Sequence, residues 1–368
     1  AAGGGSVVRY ADGRLQVGPA SAGADPGPAC YRRGGPATVT DCNVVLGRIR
    51  PDRFPQVFGP AGDAALDPQA SRERLAAIAA AVAAAGGPRY GIEALAAAFV
   101  EVAVTKMANA IRELALRHGE DAGRFTLVPF GGAAGQHACA VADALGIETL
   151  LLHPLAGVLS AWGIGLARRR CIRRRSLERT FDDAGLREAA TALDALERAA
   201  RAELSRQGIA APDIAVERSV ELRVAGSDTA LEVPWQSADG LRAAFVVAHQ
   251  RLFGFSDAAA GLVIATVGVE AVERGGVGHD RSGGFVPEPA GPAADASAPH
   301  SAGSTRAWID GAWHEVELHR REELQPGTCV VGPALLSEPG STGWIASGWE
   351  GTVQPDGCLA LRRVALLA

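Results

Sequence analysis

The chain has 368 residues, of which 48% are hydrophobic and 21% are charged, and its formal net charge at pH 7 is −5. This length predicts two or three domains with a sizeable core. The acidic balance favours neither nucleic acid nor an acidic membrane surface as a partner. The six cysteines never form a C-x-x-C pair, so we expect neither a zinc ribbon nor a disulfide framework, and a reducing cytoplasm fits best.

The sequence contains no secretory signal, and its apolar stretches fall short of the roughly 20 strongly hydrophobic residues of a membrane span, so no membrane association is expected. The chain opens with AAGGGSVVRY, without an initiator methionine, and its one methionine is Met107. A glycine run before an apolar strand is typical of the middle of a fold. We therefore expect a portion of a longer protein.

The first 58 residues predict short strands and an ordered loop. Strands are expected at SVVRY and LQVGP, on either side of the turn ADGR. The next segment, SAGADPGPACYRRGG, has too many glycines and prolines for a regular element and predicts a rigid loop. TVTDCNVVLGRI then predicts a strand or a short helix.

Two helices follow in an alanine-rich region. The first is predicted to begin with Ser71 as its capping residue and to stop at a Gly-Gly-Pro sequence. The second has apolar residues at helical spacing from Leu95 to Leu114 and ends at His118-Gly119.

The stretch FGGAAGQHACA, from Phe130 to Ala140, joins a predicted strand over 125–130 to a predicted helix over 136–145. In such a unit, backbone N–H groups and a helix N-terminus can face an anion or a nucleotide. The turn is neither a P-loop, since no Gly-Lys-Ser/Thr follows, nor a G-x-G-x-x-G motif, since position 133 is alanine. Spacing alone leaves two interpretations open: nucleotide contact, or tight packing of the strand against the helix.

Charged and titratable residues near these glycine-rich segments are candidates for a site. His137 lies in the first turn of the predicted helix, where the helix terminus disfavours its protonation, so it either donates a hydrogen bond to a ligand or packs locally. Asp25, Arg32, Arg33 and Asp41 lie in or beside the rigid loop. They could order a substrate or a metal, or they could pin the loop through salt bridges.

The remaining chain predicts a mixed region and then a β region. The run RRRCIRRR over 168–175 lacks interleaved aromatic residues, so it predicts an exposed strand or a domain contact rather than a nucleic-acid site. An amphipathic helix, the strands RSVELRV and LEVPW, a helix near 239–251 and the strand LVIATVGVEAV follow. After a segment rich in Gly, Pro, Ala and Ser, Asp310-Gly311 predicts a hairpin that opens a small all-β region.

Several segments of the chain, among them SAGADPGPACYRRGG and FGGAAGQHACA, resemble the hydantoinase A / 5-oxoprolinase family, specifically its C-terminal half. The resemblance extends from residue 21 to residue 342, and FGGAAGQHACA is more similar to 5-oxoprolinases than to hydantoinases. The other matching segments are TVTDCNVVLGRI, LVPFGGAAGQHACAVADALGI, PLAGVLSAWGIGLA, HQRLFGF and GPALLSEPGST.

The family is similar to actin-like and sugar-kinase-like ATPases with ribonuclease-H-like lobes, so the resemblance implies an α/β fold. We expect a partial ATPase-like lobe of this kind over residues 1–166. We further expect an α+β region over 167–273, a linker or mobile loop over 274–304 and a small C-terminal β domain over 305–368.

The resemblance implies an ATP-dependent hydrolase of cyclic amides that resembles 5-oxoprolinase or N-methylhydantoinase. ATP would phosphorylate the amide oxygen before water attacks the carbon, and magnesium would bridge the phosphates. Gly131, Gly132, Ala133 and Gly135 would meet the adenosine of ATP. The loop with Asp25 and Arg33 would meet the substrate, and Asp41 and His137 would orient substrate or water. No residue is a candidate protein ligand for a metal.

One departure from the family pattern concerns the phosphates. The two D-x-G-G-T turns that meet them in this fold do not occur in the sequence and would lie upstream, so we expect this chain to be inactive alone. The resemblance also implies a hydantoinase-B-like subunit or domain as a partner, and an oligomer.

Two other hypotheses are weighed against the leading one. A non-catalytic scaffold would dock the other subunit of a hydrolase or a carboxylase through its β domain and its arginine-rich strand. A dinucleotide-dependent oxidoreductase is disfavoured, because the chain lacks both G-x-G-x-x-G and an acidic residue at the end of the next strand.

Overall fold

The computed structural model describes residues 3–255, 261–274, 303–338 and 340–364. The chain divides into two compact units. Most of the predicted linker, residues 275–302, lies outside the described residues. Unit 1 comprises residues 1–115, 121–162 and 286–368, and unit 2 comprises residues 116–120 and 163–285.

Unit 1 begins with the predicted hairpin. Strand β1 (Ser6–Ala11) pairs antiparallel with strand β2 (Arg14–Ser21), where Val8 lies opposite Val17 and both are buried. The two turn residues, Asp12-Gly13, have positive φ, as the tight turn of a two-residue hairpin requires.

Helix α1 (Val39–Val45) forms where the sequence left a strand or a short helix open. Thr38 and Asp41 favour the helix over the strand, because they form a capping box. In this box the side chain of each residue accepts a hydrogen bond from the backbone N–H of the other. The box fixes the helix start directly after the rigid loop.

Helix α2 (Pro68–Ala84) begins one turn earlier than predicted. The carboxylate of Asp67 caps it by accepting bonds from the N–H groups of Gln69 and Ala70. The prediction that Ser71 caps this helix was wrong, since Ser71 lies inside the first turn and is fully buried. Asp67 followed by Pro68 is the stronger start signal, because proline is favoured at the first helical position.

Helix α3 (Ile92–Arg117) is long and apolar enough, by length and composition alone, to cross a membrane. The sequence analysis predicted this helix but judged its apolar stretch too short for a membrane span, whereas its length and composition meet that test. In the structure, Leu95, Phe99 and Ala103 are completely buried within the main core of unit 1. One buried stripe and one exposed face are typical of a core helix in an α/β unit.

The glycine turn lies between two parallel strands. Strand β3 (Thr126–Leu127) pairs with strand β4 (Thr149–Leu152), and helix α4 (Ala138–Leu145) forms the crossover between them. The strand is shorter than the predicted range of 125–130. The helix starts at 138 rather than 136 because a 3-10 turn occupies Ala134–Gln136. Helix α5 (Leu159–Leu166) follows β4.

Unit 2 is an antiparallel sheet with two helices. The elements are β5 (Arg170–Thr180), α6 (Asp183–Arg206), β6 (Ile214–Val224), β7 (Leu231–Pro234), α7 (Ala238–Phe253) and β8 (Leu262–Glu273). The four strands lie in the order β5-β8-β6-β7. The core contains apolar residues of both helices and of the sheet, among them Leu193, Leu222 and Phe245.

The arginine run forms an exposed edge strand, as the sequence predicted. Nearly all of β5 is exposed, and some of its arginines form ion pairs with glutamates on the other strands of the sheet. Arg174 binds both Glu221 and Glu232, over 2.9 Å and 3.2 Å, and Arg170 lies 3.4 Å from Glu270. Part of the positive charge of the run is therefore balanced within its own sheet.

The C-terminal strands return to unit 1. Strand β9 (Gly303–Ile309) and strand β10 (Ala312–Arg320) form the predicted hairpin, with positive φ at Asp310-Gly311. The remaining strands are β11 (Cys329–Val331), β12 (Ala334–Glu338), β13 (Ser341–Ile345), β14 (Trp349–Val353) and β15 (Leu359–Arg363). With β3, β4, β9 and β10 they form two sheets, one in the order β13-β12-β10-β9 and one in the order β11-β14-β15-β4-β3.

The predicted boundary at residue 305 does not separate a β domain. Strand β15 pairs antiparallel with β4, so that Leu361 lies opposite Leu150 and both are buried. Since β3 has only two residues, β4 gains most of its backbone pairing from β15. This pairing joins segments about two hundred residues apart, and local patterning does not reveal it.

Candidate functional site

The rigid loop is held by the carboxylate of Asp41, which is completely buried. Oδ1 accepts hydrogen bonds from the N–H of Cys30 over 2.8 Å and from the hydroxyl of Ser71 over 2.7 Å. Oδ2 accepts from the N–H of Ala29 over 3.1 Å and from the N–H and hydroxyl of Thr38 over 2.8 Å and 2.9 Å. A carboxylate offers about four acceptor positions, so these donors leave none for a ligand. Asp41 is a positioning residue, and the geometry does not favour its predicted contact with substrate or water.

Two thiols lie beside this carboxylate. Burial raises the pKa of Cys30 and of Cys42 well above the ordinary value, and the charge of Asp41 raises it further. Both cysteines therefore remain protonated thiols at neutral pH. A thiol in that state is a weak nucleophile, so neither is a candidate for covalent chemistry.

The arginines of the loop pin it to the segment before α2. Arg32 donates to the carbonyl of Ala65 over 2.7 Å and forms an ion pair of 3.0 Å with Asp67. Arg33 donates to the carbonyl of Gly59 over 3.2 Å. Asp25 is exposed, and no ion pair joins it to either arginine in the part of the chain that the structure describes. The two arginines therefore pin the loop, which was one of the two roles that the sequence left open. The structure shows no ion pair between Asp25 and Arg33 among the described residues.

The glycine turn packs against the hairpin between β12 and β13. A Cβ on Gly132 would lie 2.8 Å from the carbonyl oxygen of Gly340, and one on Gly135 would lie 3.0 Å from that of Thr342. Gly131 has a φ of +94°, and its N–H donates to the carbonyl of Ala156 over 2.8 Å. The packing interpretation thus accounts for Gly132 and Gly135. Nucleotide contact by Gly131, Ala133 or the rest of the turn stays a prediction.

His137 is buried beside the amide side chains of Asn43 and Gln136. The Nδ2 atom of Asn43 donates to Oε1 of Gln136 over 2.8 Å and lies 3.4 Å from Nε2 of His137. An amide N–H of Asn43 directed at Nε2 would make that nitrogen the acceptor and place the ring proton on Nδ1. Nδ1 of His137 and Oδ1 of Asn43 are buried without a hydrogen-bond partner among the described residues.

The charge state of His137 agrees with the sequence prediction but has another cause. Burial lowers its pKa to about 4, and the positive charge of Arg48 contributes. The imidazole is therefore neutral at pH 7. The predicted cause was the helix terminus, whereas the structure attributes the shift to burial and to a neighbouring guanidinium.

Arg48 is a cation that packs on an aromatic ring. Its guanidinium lies over the ring of Trp344, 5.2 Å from the centroid, and its Nε is buried without a hydrogen-bond partner. Burial lowers its pKa to about 10, so the side chain remains charged at pH 7. Within the described ranges, no carboxylate forms an ion pair with it.

A cavity of about 570 Å³ lies beside the glycine turn and reaches His137. Its walls are formed by β2, α3, α4 and the end of β3, and its volume falls within the roughly 300–1,000 Å³ of small-molecule sites. Lys106, on the same wall, donates to the carbonyl of Val17 over 2.5 Å. The lining is mainly apolar, and its polar side chains are those of Lys106, Asn109, Glu113 and His137.

Sequence reasoning missed Asn43, Arg48 and Gln136. The available signal was the polarity of Asn43 within VTDCNVV, a segment that is otherwise buried as helix α1. A polar side chain among apolar neighbours requires a buried partner. That signal becomes visible only when the segment is assigned to a helix, a choice that the sequence left open.

Two family models match the chain. Hydantoinase/oxoprolinase matches residues 1–173, and the hydantoinase/oxoprolinase C-terminal domain matches residues 270–364. The chain belongs to the hydantoinase/oxoprolinase family. The resemblance identified from the sequence is thereby confirmed.

Individual relatives agree with this assignment. The chain is 34% identical to 5-oxoprolinase of Saccharomyces cerevisiae over 367 residues, which is 96% of this chain and 28% of that protein. It is 28% identical to caprolactamase subunit alpha of Pseudomonas jessenii over 369 residues, covering 96% of this chain and 50% of the relative. The chain thus spans about a quarter of the first of these relatives and half of the second.

A solved structure supports the fold. The crystal structure of ATP-dependent caprolactamase from Pseudomonas jessenii matches with a TM-score of 0.80 and 26% identity, over 98% of this chain and 52% of that one. The α/β fold of the hydantoinase and actin-like ATPase group, predicted from the resemblance, is confirmed.

The described residues offer no set of protein ligands for the implied magnesium. Among the described residues, no group of three or more His, Cys, Asp or Glu side chains lies close enough to hold a metal ion. We therefore derive no chemical step through magnesium.

The pKa of His137 makes the stability of the chain depend on pH. Between pH 6.5 and about 4 an unfolded histidine binds a proton that the folded His137 does not, so stability falls as pH falls. From pH 7.5 to pH 5.0 this residue should contribute a loss of about 2 kcal/mol. Urea denaturation of the original chain and of His137→Gln at both pH values measures this loss of unfolding free energy. Equal losses in the two proteins would show that His137 does not titrate as inferred.

Replacement of Asp41 should loosen the rigid loop. In Asp41→Asn an amide group faces N–H and O–H donors, so the free energy of unfolding should fall by about 3 kcal/mol. Asp25→Asn, at an exposed position of the same loop, should change it by less than about 0.5 kcal/mol. Urea denaturation compares the two variants. An unchanged midpoint for Asp41→Asn would contradict the assignment of Asp41 as the residue that holds the loop.

Alanine substitutions test the packing of the glycine turn. Gly132→Ala and Gly135→Ala should each lower the free energy of unfolding by about 1–3 kcal/mol, because the new Cβ meets backbone oxygen. Gly163→Ala, in α5 with nothing within 4 Å, should be neutral or slightly stabilising. Full stability in the first two variants would instead favour a ligand as the reason for these glycines.

Proposed function

We propose that this chain is a portion of an ATP-dependent hydrolase of cyclic amides, and that the cavity beside the glycine turn receives the adenosine of ATP. The proposal is supported by the chemistry of the cavity and by the activities that the names of the relatives state. Those names describe 5-oxoprolinases and an ATP-dependent caprolactamase.

The cavity suits a flat aromatic base with polar edges. Met107, Ile111 and Pro129 offer apolar surface to the faces of a purine. Asn109 and Lys106 offer hydrogen-bonding groups to its edge or to a ribose. An apolar lining with a few polar groups that fix orientation is the usual composition of a nucleoside site.

The position of the cavity fits the orientation that the family resemblance implies. Ala134, His137 and Ala138 continue directly from the glycine turn and line one end of the cavity. A nucleoside there would have the turn and the 3-10 segment at its side. Its phosphates would extend toward residues supplied by the rest of the protein.

A second subunit is part of the proposal. One relative is named as the alpha subunit of caprolactamase, and the chain covers half of it. We propose that the complete protein also works with a partner subunit. Hydrolysis of the cyclic amide is thus assigned to the assembled enzyme, and the described residues are assigned to binding and positioning.

Thermal unfolding with adenosine, ATP or NAD at millimolar concentration tests the nucleotide site. A ligand at about a hundred times its dissociation constant stabilises by about 2.7 kcal/mol, and we expect this for adenosine and ATP but not for NAD. Ala110→Phe places a large side chain from an exposed position of α3 into the cavity and should abolish the shift.

Ala94→Phe provides the matched control, because Ala94 is also exposed on α3 but does not line the cavity. It should retain the full shift. If adenosine stabilises neither the original chain nor the control, or stabilises Ala110→Phe equally, the nucleotide assignment is wrong and the scaffold hypothesis leads.

A further inference from the structure

A second, smaller cavity of unit 1 lies between the segment after α1 and the strands β10, β12 and β13. Its volume is about 120 Å³. Its lining combines apolar side chains with two arginines and several hydroxyl groups. The cavity shares no lining residue with the one beside the glycine turn, so what it binds is independent of the proposed nucleotide site.

Apolar side chains reach this cavity from two sides. Phe58 is 9% exposed and belongs to a small core cluster, in which its ring centroid lies 4.4 Å from that of Tyr31. The ring centroid of Phe54 lies 6.5 Å from that of Phe58. On the side of the sheet, Leu318 and Leu335 are buried in another cluster. An apolar group in the cavity would therefore be removed from water between these two surfaces.

The positive charge beside the cavity exceeds the negative charge that offsets it. Arg50 and Arg53 both line the cavity, and both form ion pairs with Asp52, over 3.0 Å and 3.7 Å. Arg50 also donates to the hydroxyl of Thr305 over 2.6 Å, which orients its guanidinium. In the described part of the chain no other carboxylate pairs with either arginine, so one carboxylate serves two guanidinium groups.

The sheet contributes hydroxyl groups to the cavity rather than a second carboxylate. Because side chains alternate along a strand, Ser337 lies on the face of β12 that borders the cavity, and Thr342 lies opposite it on β13. Glu338 also borders the cavity, but alternation directs its carboxylate to the other face of β12, where it lies 3.8 Å from Arg321. The polar side chains that face the cavity can therefore all donate hydrogen bonds.

We propose that this cavity binds a short-chain monocarboxylate, with its carboxylate at Arg53 and its hydrocarbon chain between Phe54, Phe58 and Leu335. A carboxylate only accepts hydrogen bonds, so it matches a set of donors, and its charge balances the arginine pair. An inorganic oxyanion would leave the apolar surfaces unfilled. A neutral apolar molecule would leave the excess positive charge without a partner.

The volume of the cavity sets the size of the acid. An apolar cavity of about 150 Å³ holds benzene, so a cavity of about 120 Å³ has room for roughly five or six heavy atoms. Butyrate is of this size. The site would thus take a small aliphatic acid and enclose most of its chain.

Three probes of similar size separate the contributions of charge and chain. Butyrate carries both, butyramide keeps the shape without the charge, and inorganic phosphate keeps the charge without the chain. Binding is followed on the full chain by ligand-observed NMR and by thermal unfolding at constant ionic strength. We expect saturable binding of butyrate in the millimolar range, and binding of the other two that is weaker by about tenfold or more.

Two substitutions locate the binding site. Arg53→Gln removes an exposed guanidinium and should weaken butyrate binding by about tenfold, while the melting temperature without ligand stays the same. Ser337→Leu fills the cavity from β12 and should abolish binding. Arg89→Gln is the matched control, because Arg89 is also an exposed arginine of unit 1 but does not line the cavity. It should bind butyrate like the original chain.

The proposal is overturned if butyrate does not bind, or if Arg53→Gln or Ser337→Leu binds it like the Arg89→Gln control. Equal binding of phosphate would also overturn it, as a contact of arginines with any anion, and so would equal binding of butyramide, as a purely apolar pocket. Adenosine measured in parallel reports on the nucleotide site alone, because the two cavities share no residue. A missing adenosine shift would reject the proposed nucleotide site and leave the result for butyrate standing.

Discussion

Five hydrogen bonds converge on the buried carboxylate of Asp41, and the arrangement of the candidate site depends on them. Their donors come from the rigid loop, from the start of α1 and, through Ser71, from α2. A buried carboxylate without a cation is stable only when donors surround it, and hydrogen bonds to a charged group contribute about 1.5–3 kcal/mol each. One side chain thus fixes three segments that local propensity would leave independent.

The same short helix carries the polar residues of the site. Asp41 faces the loop, while Asn43, two residues later, contacts Gln136 and His137 across unit 1. Gly47 then turns the chain with a φ of +74°, in a place where a Cβ would lie 2.4 Å from the carbonyl oxygen of Arg306. This turn leads directly to Arg48. Whatever holds α1 in place therefore also sets the positions of Asn43 and Arg48.

The elements that the sequence predicted are those decided by local interactions. The β1–β2 hairpin, the β9–β10 hairpin and α6 all follow from adjacent residues, as does the exposed arginine strand. The pairing of β15 with β4 escaped prediction because it depends on residues far apart in the chain. Ser71 was misassigned for a related reason: a serine near a helix start suits a cap, and only the distant Asp41 reveals its actual partner.

Prediction of the site had the same limit. The glycine turn and His137 were found because their spacing is local, but the reason for Gly132 and Gly135 lies in a hairpin two hundred residues away. The neutrality of His137 was inferred from a helix terminus, although burial and Arg48 determine it. Sequence patterns identified the right residues here, while the physical causes required the tertiary contacts.

Arg48 and His137 form an electrostatic pair within unit 1. Among the described residues no carboxylate forms an ion pair with Arg48, and its guanidinium lowers the pKa of the imidazole. An anion that approached the guanidinium would oppose that effect and make protonation of His137 easier. By linkage, anion binding and protonation of His137 would then favour each other.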